Sequence, residues 1–302
     1  MSRGRSLPRA RAAALVAAAL LLAGCAAPAA DASVSGRQIR VVAAENVWGS
    51  IAAQLGGEHV SVTSIVTDPG ADPHEYSSTT ADARAVATAD YVILDGAGYD
   101  SWGQRLVDAN ATVSRTVLDI GALLGRKSGD NPHFWYSPDF VARVVDRISA
   151  DYRRIDPAHG PAFSTLHGTF LATLHPYRDA VARIAQRFRD GKVAATEDVF
   201  VYLAAALRLD VITPPEFMQA VAEGNEPPAR SVVEFHEQLQ HRDVVLLVYN
   251  TQTVTAVTTN LVALALRTGI PVVGISESLQ PPTATFQSWQ VAQLTRLERA
   301  LG

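Results

Sequence analysis

The sequence predicts an α/β fold of two lobes, each with a mostly parallel β-sheet flanked by helices, joined by one long rigid helix. Short apolar stretches alternate with amphipathic stretches along residues 38–160, and the same alternation begins again after residue 190. Between them, apolar residues recur at three- and four-residue steps from Ala162 to about Arg189, a spacing typical of a helix.

These observations divide the chain into an N-terminal α/β lobe at 38–160, a connecting helix at 161–190 and a C-terminal α/β lobe at 191–302. Pro176 lies within the connecting helix and is expected to kink it, because proline has no N–H to donate. A chain of 302 residues, 48% of them hydrophobic, is long enough to form the cores of two lobes.

Strands and helices are predicted to alternate in the N-terminal lobe. Each strand is a short apolar run, and the helices follow capping or turn signals such as Thr79 and Ser137-Pro138. Strands are predicted at 39–44, 60–66, 91–95 and 115–120, and helices at 46–55, 79–89, 102–109 and 137–155.

The alternation resumes in the C-terminal lobe after Asp190-Gly191. Strands are predicted there at 193–196, 211–213, 244–249 and 272–275, and helices at 199–209, 231–239, 253–267 and 286–301. Open α/β sheets bind ligands beyond the carboxyl ends of their strands. With two lobes, the expected site is therefore the cleft between them.

The N-terminal residues are predicted to be a leader and a tether. Residues 1–24 combine four arginines with an apolar segment too short to span a bilayer permanently, which is typical of a signal peptide. Leu22-Ala23-Gly24-Cys25 resembles a bacterial lipobox, in which Cys25 would be lipidated. An ordinary signal peptide with an incidental cysteine is the alternative. Residues 25–37 would be a flexible, lipid-anchored tether, so we expect the protein on the extracytoplasmic face of the cell membrane.

Composition limits the classes of partner. Cys25 is the only cysteine, which rules out intrachain disulfides and thiolate-rich zinc sites. The formal net charge is −4, and removal of residues 1–24, with four arginines and no acidic residue, leaves −8. A nucleic-acid-binding protein needs a basic face, so we expect no nucleic-acid partner.

Two Pro-His pairs stand on predicted loops of the N-terminal lobe. His74 follows Asp72-Pro73, and His133 follows Asn131-Pro132. Proline restricts the backbone, so each loop can aim its imidazole at a fixed ligand. Two such histidines predict one metal ion held by two imidazoles, although a histidine in a solvated turn is the alternative for either alone.

Acidic residues occupy the matching positions of the C-terminal lobe. Glu197 follows the strand predicted at 193–196, and Glu277 follows the strand at 272–275. Two imidazoles and two carboxylates suit zinc, manganese or ferrous iron. A site with all four ligands from protein suits binding more than hydrolysis. Taken alone, Glu197 is explained better by helix-dipole stabilisation, and Glu277 by a surface loop.

Motifs typical of enzymes are missing from the sequence. There is no Gly-x-Gly-x-x-Gly, phosphate loop, Gly-x-Ser-x-Gly or His-Glu-x-x-His motif. His74 has two acidic neighbours in the sequence, Asp72 and Glu75. They are either partners that orient its ring or surface charges. We therefore expect a binding protein rather than an enzyme.

Four segments resemble the metal-binding solute-binding proteins of bacterial zinc/manganese ABC transporters (bacterial solute-binding protein 9 family, cluster A-I). The resemblance covers roughly residues 38–302. The matching segments are Asp68-Pro-Gly-Ala-Asp-Pro-His-Glu-Tyr76, Asn131-Pro-His-Phe-Trp135, Thr196-Glu-Asp-Val-Phe200 and Ser276-Glu-Ser-Leu279.

The resemblance implies a lipid-anchored, monomeric protein that captures one divalent metal ion, zinc or manganese and in some relatives iron. It would deliver the ion to a membrane permease with a cytoplasmic ATPase. His74, His133, Glu197 and Glu277 would be the ligands. Zinc-type members generally have histidine at the position of Glu197. Manganese and iron members have glutamate there, so this chain resembles them at that position. Glu277 is one methylene longer than the family's usual aspartate.

Three other functions remain open from the sequence. One is a surface adhesin or interaction lipoprotein of the same fold, with a structural metal. Another is a zinc-dependent hydrolase, which would need an open coordination position and a general base. The third is a relative that binds an organometallic or siderophore guest in a larger cleft.

Overall fold

The computed structural model describes residue 1, residues 37–68, residue 70 and residues 73–302. Residues 37–302 form one compact unit. Residues 2–24 of the predicted signal peptide, Cys25, residues 26–36 of the tether and Asp72 lie outside the described residues.

The first sheet is parallel and has the strand order β2-β1-β3-β4. Val41 in β1 lies opposite Val62 in β2 and Tyr91 in β3, which fixes the register at the centre of the sheet. The strands are β1 (Ile39–Glu45), β2 (Val60–Val66), β3 (Tyr91–Leu94) and β4 (Thr116–Asp119), and the associated helices are α1 (Asn46–Gly56), α2 (Thr80–Thr88), α3 (Ser101–Ala109), α4 (Ile120–Leu124) and α5 (Pro138–Ile155).

The prediction of a single helix over 162–189 is wrong. The connection consists of α6 (Gly160–Thr173) and α7 (His175–Arg187), which are separated at Leu174. Leu174 has φ −80° and ψ −8°, so the backbone stays in the right-handed helical region where the two helices meet. Pro176, in the first turn of α7, cannot donate a hydrogen bond, and its ring crowds the carbonyl four residues earlier. The proline therefore divides the helix instead of only bending it.

The second sheet repeats the arrangement with the order β6-β5-β7-β8, again all parallel. Its strands are β5 (Lys192–Ala195), β6 (Asp210–Val211), β7 (Leu246–Asn250) and β8 (Val272–Ile275), and its helices are α8 (Val201–Ala206), α9 (Pro215–Ala222), α10 (Ala229–His241), α11 (Ala256–Thr268) and α12 (Phe286–Leu301). The predicted class of two parallel sheets flanked by helices is confirmed, whereas the lobe boundaries stay a prediction.

Several helices differ from their predicted extents. Neither α4 nor α9 was predicted, and α9 begins at a Pro-Pro pair that in the sequence resembles a loop. Proline is nevertheless favourable in a first helical turn, where its N–H would have no partner. The helix predicted at 199–209 is shorter, because the chain first makes a 3₁₀ turn at Asp198–Phe200 and leaves the helix with Arg208 at a φ of 56°.

A shared apolar core and buried hydrogen bonds connect the two sheet regions. The largest fully buried side chains include Trp48, Trp135 and Trp289. The Tyr136 hydroxyl donates to the Ser276 carbonyl at 2.6 Å, and the Ser276 hydroxyl accepts from Trp289 Nε1 at 3.0 Å. Because such packed contacts resist deformation, they hold the carboxyl ends of the two sheets in a fixed relation.

Among the described helices, none is long and apolar enough to cross a membrane.

Candidate metal centre

The four residues singled out from the sequence lie together where the strands of both sheets end. His74 follows β2 within the 3₁₀ turn Pro73–Glu75, and His133 precedes the 3₁₀ turn Phe134–Tyr136. Glu197 lies two residues beyond β5, and Glu277 two residues beyond β8. One donor atom from each residue lies within 4.8 Å of every other. Their role as ligands stays a prediction.

The distances between these donors are short. His133 Nε2 lies 3.2 Å from Glu277 Oε2 and 3.8 Å from Glu197 Oε1. His74 Nε2 lies 3.4 Å and 3.8 Å from the same two oxygens. Metal–donor bonds of about 2.0–2.2 Å in tetrahedral geometry place donors roughly 3.3–3.6 Å apart. The four atoms therefore surround a space that fits one four-coordinate transition-metal ion.

The ionisable side chains of this group are almost completely buried, which is unusual for charged residues. The side chains of His133, Glu197 and Glu277 have no exposed surface, and that of His74 is 19% exposed. The Oε1 atom of Glu197 is buried and accepts no hydrogen bond among the described residues. A buried carboxylate oxygen without a donor is costly unless a cation compensates it. This oxygen points to the same space as the imidazole nitrogens.

The pKa values in the metal-free site reflect both burial and the neighbouring charges. Burial, with the charge of Glu277, raises the pKa of Glu197 to about 8. Burial would also raise the pKa of Glu277, but the charges and hydrogen bonds of His74 and His133 outweigh it and hold that pKa well below its usual range. For both histidines burial acts to lower the pKa, and acidic partners more than offset it, so both pKa values are raised. The metal-free site therefore holds protons near neutral pH.

The other ring nitrogen of His133 is held by acceptors. Nδ1 lies 2.9 Å from Asn131 Oδ1 and 3.1 Å from Asp198 Oδ1. If Nδ1 carries the proton, Nε2 is left as the metal-facing nitrogen. Partners of this kind orient a metal-binding histidine and increase its basicity.

We expect Asp198→Asn to weaken metal affinity by about tenfold, because outer partners of metal-ligating histidines typically contribute 10–100-fold. The substitution keeps the shape of the side chain and removes only the charge beside His133. Competition titration with a metal-binding dye measures the change. Asp243→Asn, at an exposed acidic residue after α10, is the matched control. Equal affinities for the two variants would contradict the role assigned to Asp198.

Asn250 and Tyr99 hold the carboxylates. Asn250 Nδ2 donates to Glu197 Oε2 and to Glu277 Oε1, each at 2.6 Å. The Tyr99 hydroxyl donates to Glu277 Oε2 at 2.7 Å. Gln252 accepts through Oε1 from the backbone N–H groups of Glu277 and Ser278 at 2.7 and 2.9 Å. Both carboxylates are therefore fixed before a metal arrives.

The loop after β3 aims Tyr99 at the site. Gly96, at a φ of 79°, approaches Asp119 so closely that a Cβ atom there would clash with its carboxylate. Asp100 accepts from the backbone N–H groups of Asp95 and Gly96 at 2.7 and 2.9 Å, which closes the turn. Glycine is required at this position because a side chain has neither the space nor the preferred backbone angle.

A group of buried acidic side chains accompanies this loop. Glu45 ends β1 and is 4% exposed, with neither carboxyl oxygen hydrogen-bonded among the described residues. Burial, with the charges of Asp100 and Asp95, raises its pKa well above the usual range. Burial also raises the pKa of Asp100 to about 6. Burial and the neighbouring acids therefore both favour the protonated form of Glu45.

A cavity of about 370 Å³ connects His74 with the surface. It is lined by His74, Tyr99 and Asp198 and by the exposed residues Glu75 and Glu223. His74 is therefore the ligand candidate that an arriving ion reaches first, past carboxylates that attract cations.

Comparisons with known proteins agree with this fold. A family sequence model described as zinc-uptake complex component A, periplasmic, matches residues 41–300. The manganese-binding lipoprotein MntA of Halalkalibacterium halodurans is 29% identical over 201 residues, covering 64% of this chain and 66% of the relative. Bacillus subtilis MntA is 28% identical over 243 residues, 77% of each chain.

A solved structure gives the same result for the fold. The manganese complex of the solute-binding protein FpvC from Pseudomonas aeruginosa superimposes with a TM-score of 0.73 at 19% sequence identity. The superposition covers 88% of this chain and 98% of that protein. At this identity the likeness establishes the fold alone.

Proposed function

Because the chain belongs to the family described as zinc-uptake complex component A, periplasmic, we propose that it is a solute-binding protein that captures one divalent transition-metal ion outside the membrane. His74, His133, Glu197 and Glu277 are the ligands. The ion is zinc or manganese, with ferrous iron as a third candidate.

The observation that carries this proposal is the convergence of four donor atoms, two from loops of each sheet, within 4.8 Å of one another. Two neutral imidazoles and two carboxylates balance the charge of a divalent cation. All four donors come from the protein, which supports retention of an ion rather than activation of a water molecule. The manganese-binding relatives support the same class of cargo.

Delivery would be to an ABC-transporter permease with a cytoplasmic ATPase. The protein would stay near this permease through a lipid on Cys25 and the tether at residues 25–37, and it would act as a monomer. The packed contacts between the sheet regions favour a small opening over a wide hinge motion. Release would begin at His74, the partly exposed ligand at the end of the cavity.

The test is equilibrium dialysis of metal-free protein against equal free zinc and manganese, followed by elemental analysis. We expect one equivalent of total bound metal per chain, removable by a chelator. The absence of stoichiometric metal would overturn the proposal. Metal that a chelator cannot remove would instead favour a structural ion in an adhesin-like protein.

We expect metal affinity to increase with pH. Protons on groups with raised pKa values, among them Glu197 with a pKa of about 8, must leave before the metal binds. Such protons are held below the pKa and lost above it, so affinity falls as pH falls. Each proton displaced makes the dissociation constant change about tenfold per pH unit. Calorimetric titrations near pH 6 and pH 7 in several buffers measure both the slope and the protons released. A flat profile without proton release would contradict this expectation.

A further inference from the structure

Asn250 occupies a position between the two carboxylates that follows from the strand order. It is the last residue of β7, and β7 lies between β5 and β8 in the second sheet. Glu197 follows β5 and Glu277 follows β8, so Asn250 lies between them at the carboxyl edge. Its side chain is buried, with 1% of the residue exposed.

The orientation of the Asn250 amide is determined by its contacts. Oδ1 accepts from the backbone N–H of Gln252 at 3.0 Å, so the amide oxygen faces away from the carboxylates. Nδ2 lies 2.6 Å from Glu197 Oε2, 2.6 Å from Glu277 Oε1 and 3.0 Å from Thr253 Oγ1. An amide nitrogen carries two hydrogens, and the two shortest contacts assign one to each carboxylate.

The oxygens that Asn250 holds are different from those that face the imidazoles. The inner oxygens are Glu197 Oε1 and Glu277 Oε2, which lie 3.2–3.8 Å from the histidine nitrogens. To bind a metal through both oxygens, either carboxylate must rotate its outer oxygen towards the ion, and the 2.6 Å contact of that oxygen with Asn250 opposes this rotation. Tyr99 also donates to the inner oxygen of Glu277 and resists its rotation.

We infer that Asn250 determines metal specificity by restricting each glutamate to one metal-binding oxygen. The site then offers two nitrogens and two oxygens, which is the four-coordinate arrangement that zinc adopts. Manganese prefers octahedral geometry with more oxygen ligands. A glutamate that binds the ion through both of its oxygens would bring the site closer to that geometry. The site therefore favours zinc over manganese even though Glu197 replaces the histidine of zinc-type relatives. This inference rests on the proposed function.

The test compares the parent protein with Asn250→Ala, and Asn260→Ala, an exposed asparagine of α11, is the matched control. Affinities for zinc and manganese are measured for each protein. The cobalt-loaded forms are compared by visible absorption, which is intense for four-coordinate cobalt and weak for six-coordinate cobalt. We expect the parent to be four-coordinate. In Asn250→Ala the absorption should weaken and the zinc-to-manganese affinity ratio should fall by about tenfold or more.

An unchanged affinity ratio and an unchanged cobalt spectrum in Asn250→Ala, with one equivalent bound, would overturn the inference. X-ray absorption of the zinc-loaded parent provides a second measurement that requires no variant. Four nitrogen or oxygen neighbours support the inference, and five or six neighbours overturn it while leaving the proposed function intact. A parent protein that binds no metal defeats the proposed function itself.

Discussion

His74→Ala is expected to weaken metal binding by at least about 100-fold. Loss of a residue that only orients a metal ligand typically weakens affinity by about 10–100-fold, and loss of a ligand itself should cost more. The substitution removes one of four donors and leaves both carboxylates in place. His74 is partly exposed, so its removal should leave the fold intact. Calorimetric titration of the metal-free variant with zinc and manganese measures the loss.

His236→Ala is the matched control because His236 is an exposed histidine of α10 far along the chain from every predicted ligand. Its affinity should equal that of the parent. Thermal unfolding of the metal-free proteins shows whether His74→Ala alters the fold. Parent-like affinity in a folded His74→Ala protein would remove His74 from the site.

Glu277→Gln is the second substitution with a large expected effect. It removes a negative charge that helps to balance the cation, and an amide is a much weaker ligand than a carboxylate. We again expect a loss of at least about 100-fold in affinity, above the range for outer partners. The same variant should reveal a structural role of Glu277 in the metal-free protein.

Glu277 lies between two imidazoles, and its low pKa means that its charged form stabilises the metal-free fold at neutral pH. Breaking a buried ion pair by removing one partner costs about 3–5 kcal/mol. The metal-free Glu277→Gln protein should therefore unfold at a lower temperature than the parent, whereas Glu237→Gln, at an exposed residue of α10, should not. Normal affinity together with normal stability would show that Glu277 is neither a ligand nor an ion-pair partner.

The fold was predictable from the sequence because each strand is a short apolar run followed by a polar turn. β7 and β8 illustrate this, since both are short, largely apolar runs, of which β7 ends at Asn250 and β8 ends just before Ser276. The interruption near Pro176 was predicted only as a kink within one helix, because the apolar periodicity persists through Pro176 although the helix is divided at Leu174. Apolar periodicity reports which face of a helix is buried and not whether its hydrogen bonds continue.

The candidate ligands were predictable because histidine and glutamate at strand ends are chemically distinctive. Asn250 and Tyr99 were missed, since amides and phenols are common in loops and their importance depends on contacts made far along the chain. A sequence signal for Asn250 did exist. It follows a predicted strand in the same way as Glu197 and Glu277, and parallel strands bring such positions to one edge.

Glu45 illustrates a different limit of prediction from the sequence. It ends the first strand, and from the sequence alone a glutamate before a helix is an ordinary surface acid. Only the packing of β1 against its neighbours shows that this carboxyl is buried, which raises its pKa. Burial of a polar side chain at a strand end depends on tertiary contacts that local patterns do not encode.

The most direct test of the metal centre is a crystal structure of the zinc-loaded protein with anomalous data collected at the zinc absorption edge. We predict one strong anomalous peak, about 2.0–2.2 Å from His74 Nε2, His133 Nε2, Glu197 Oε1 and Glu277 Oε2. A peak elsewhere, or no peak at this position in protein shown to contain one equivalent of zinc, would contradict the four-ligand site.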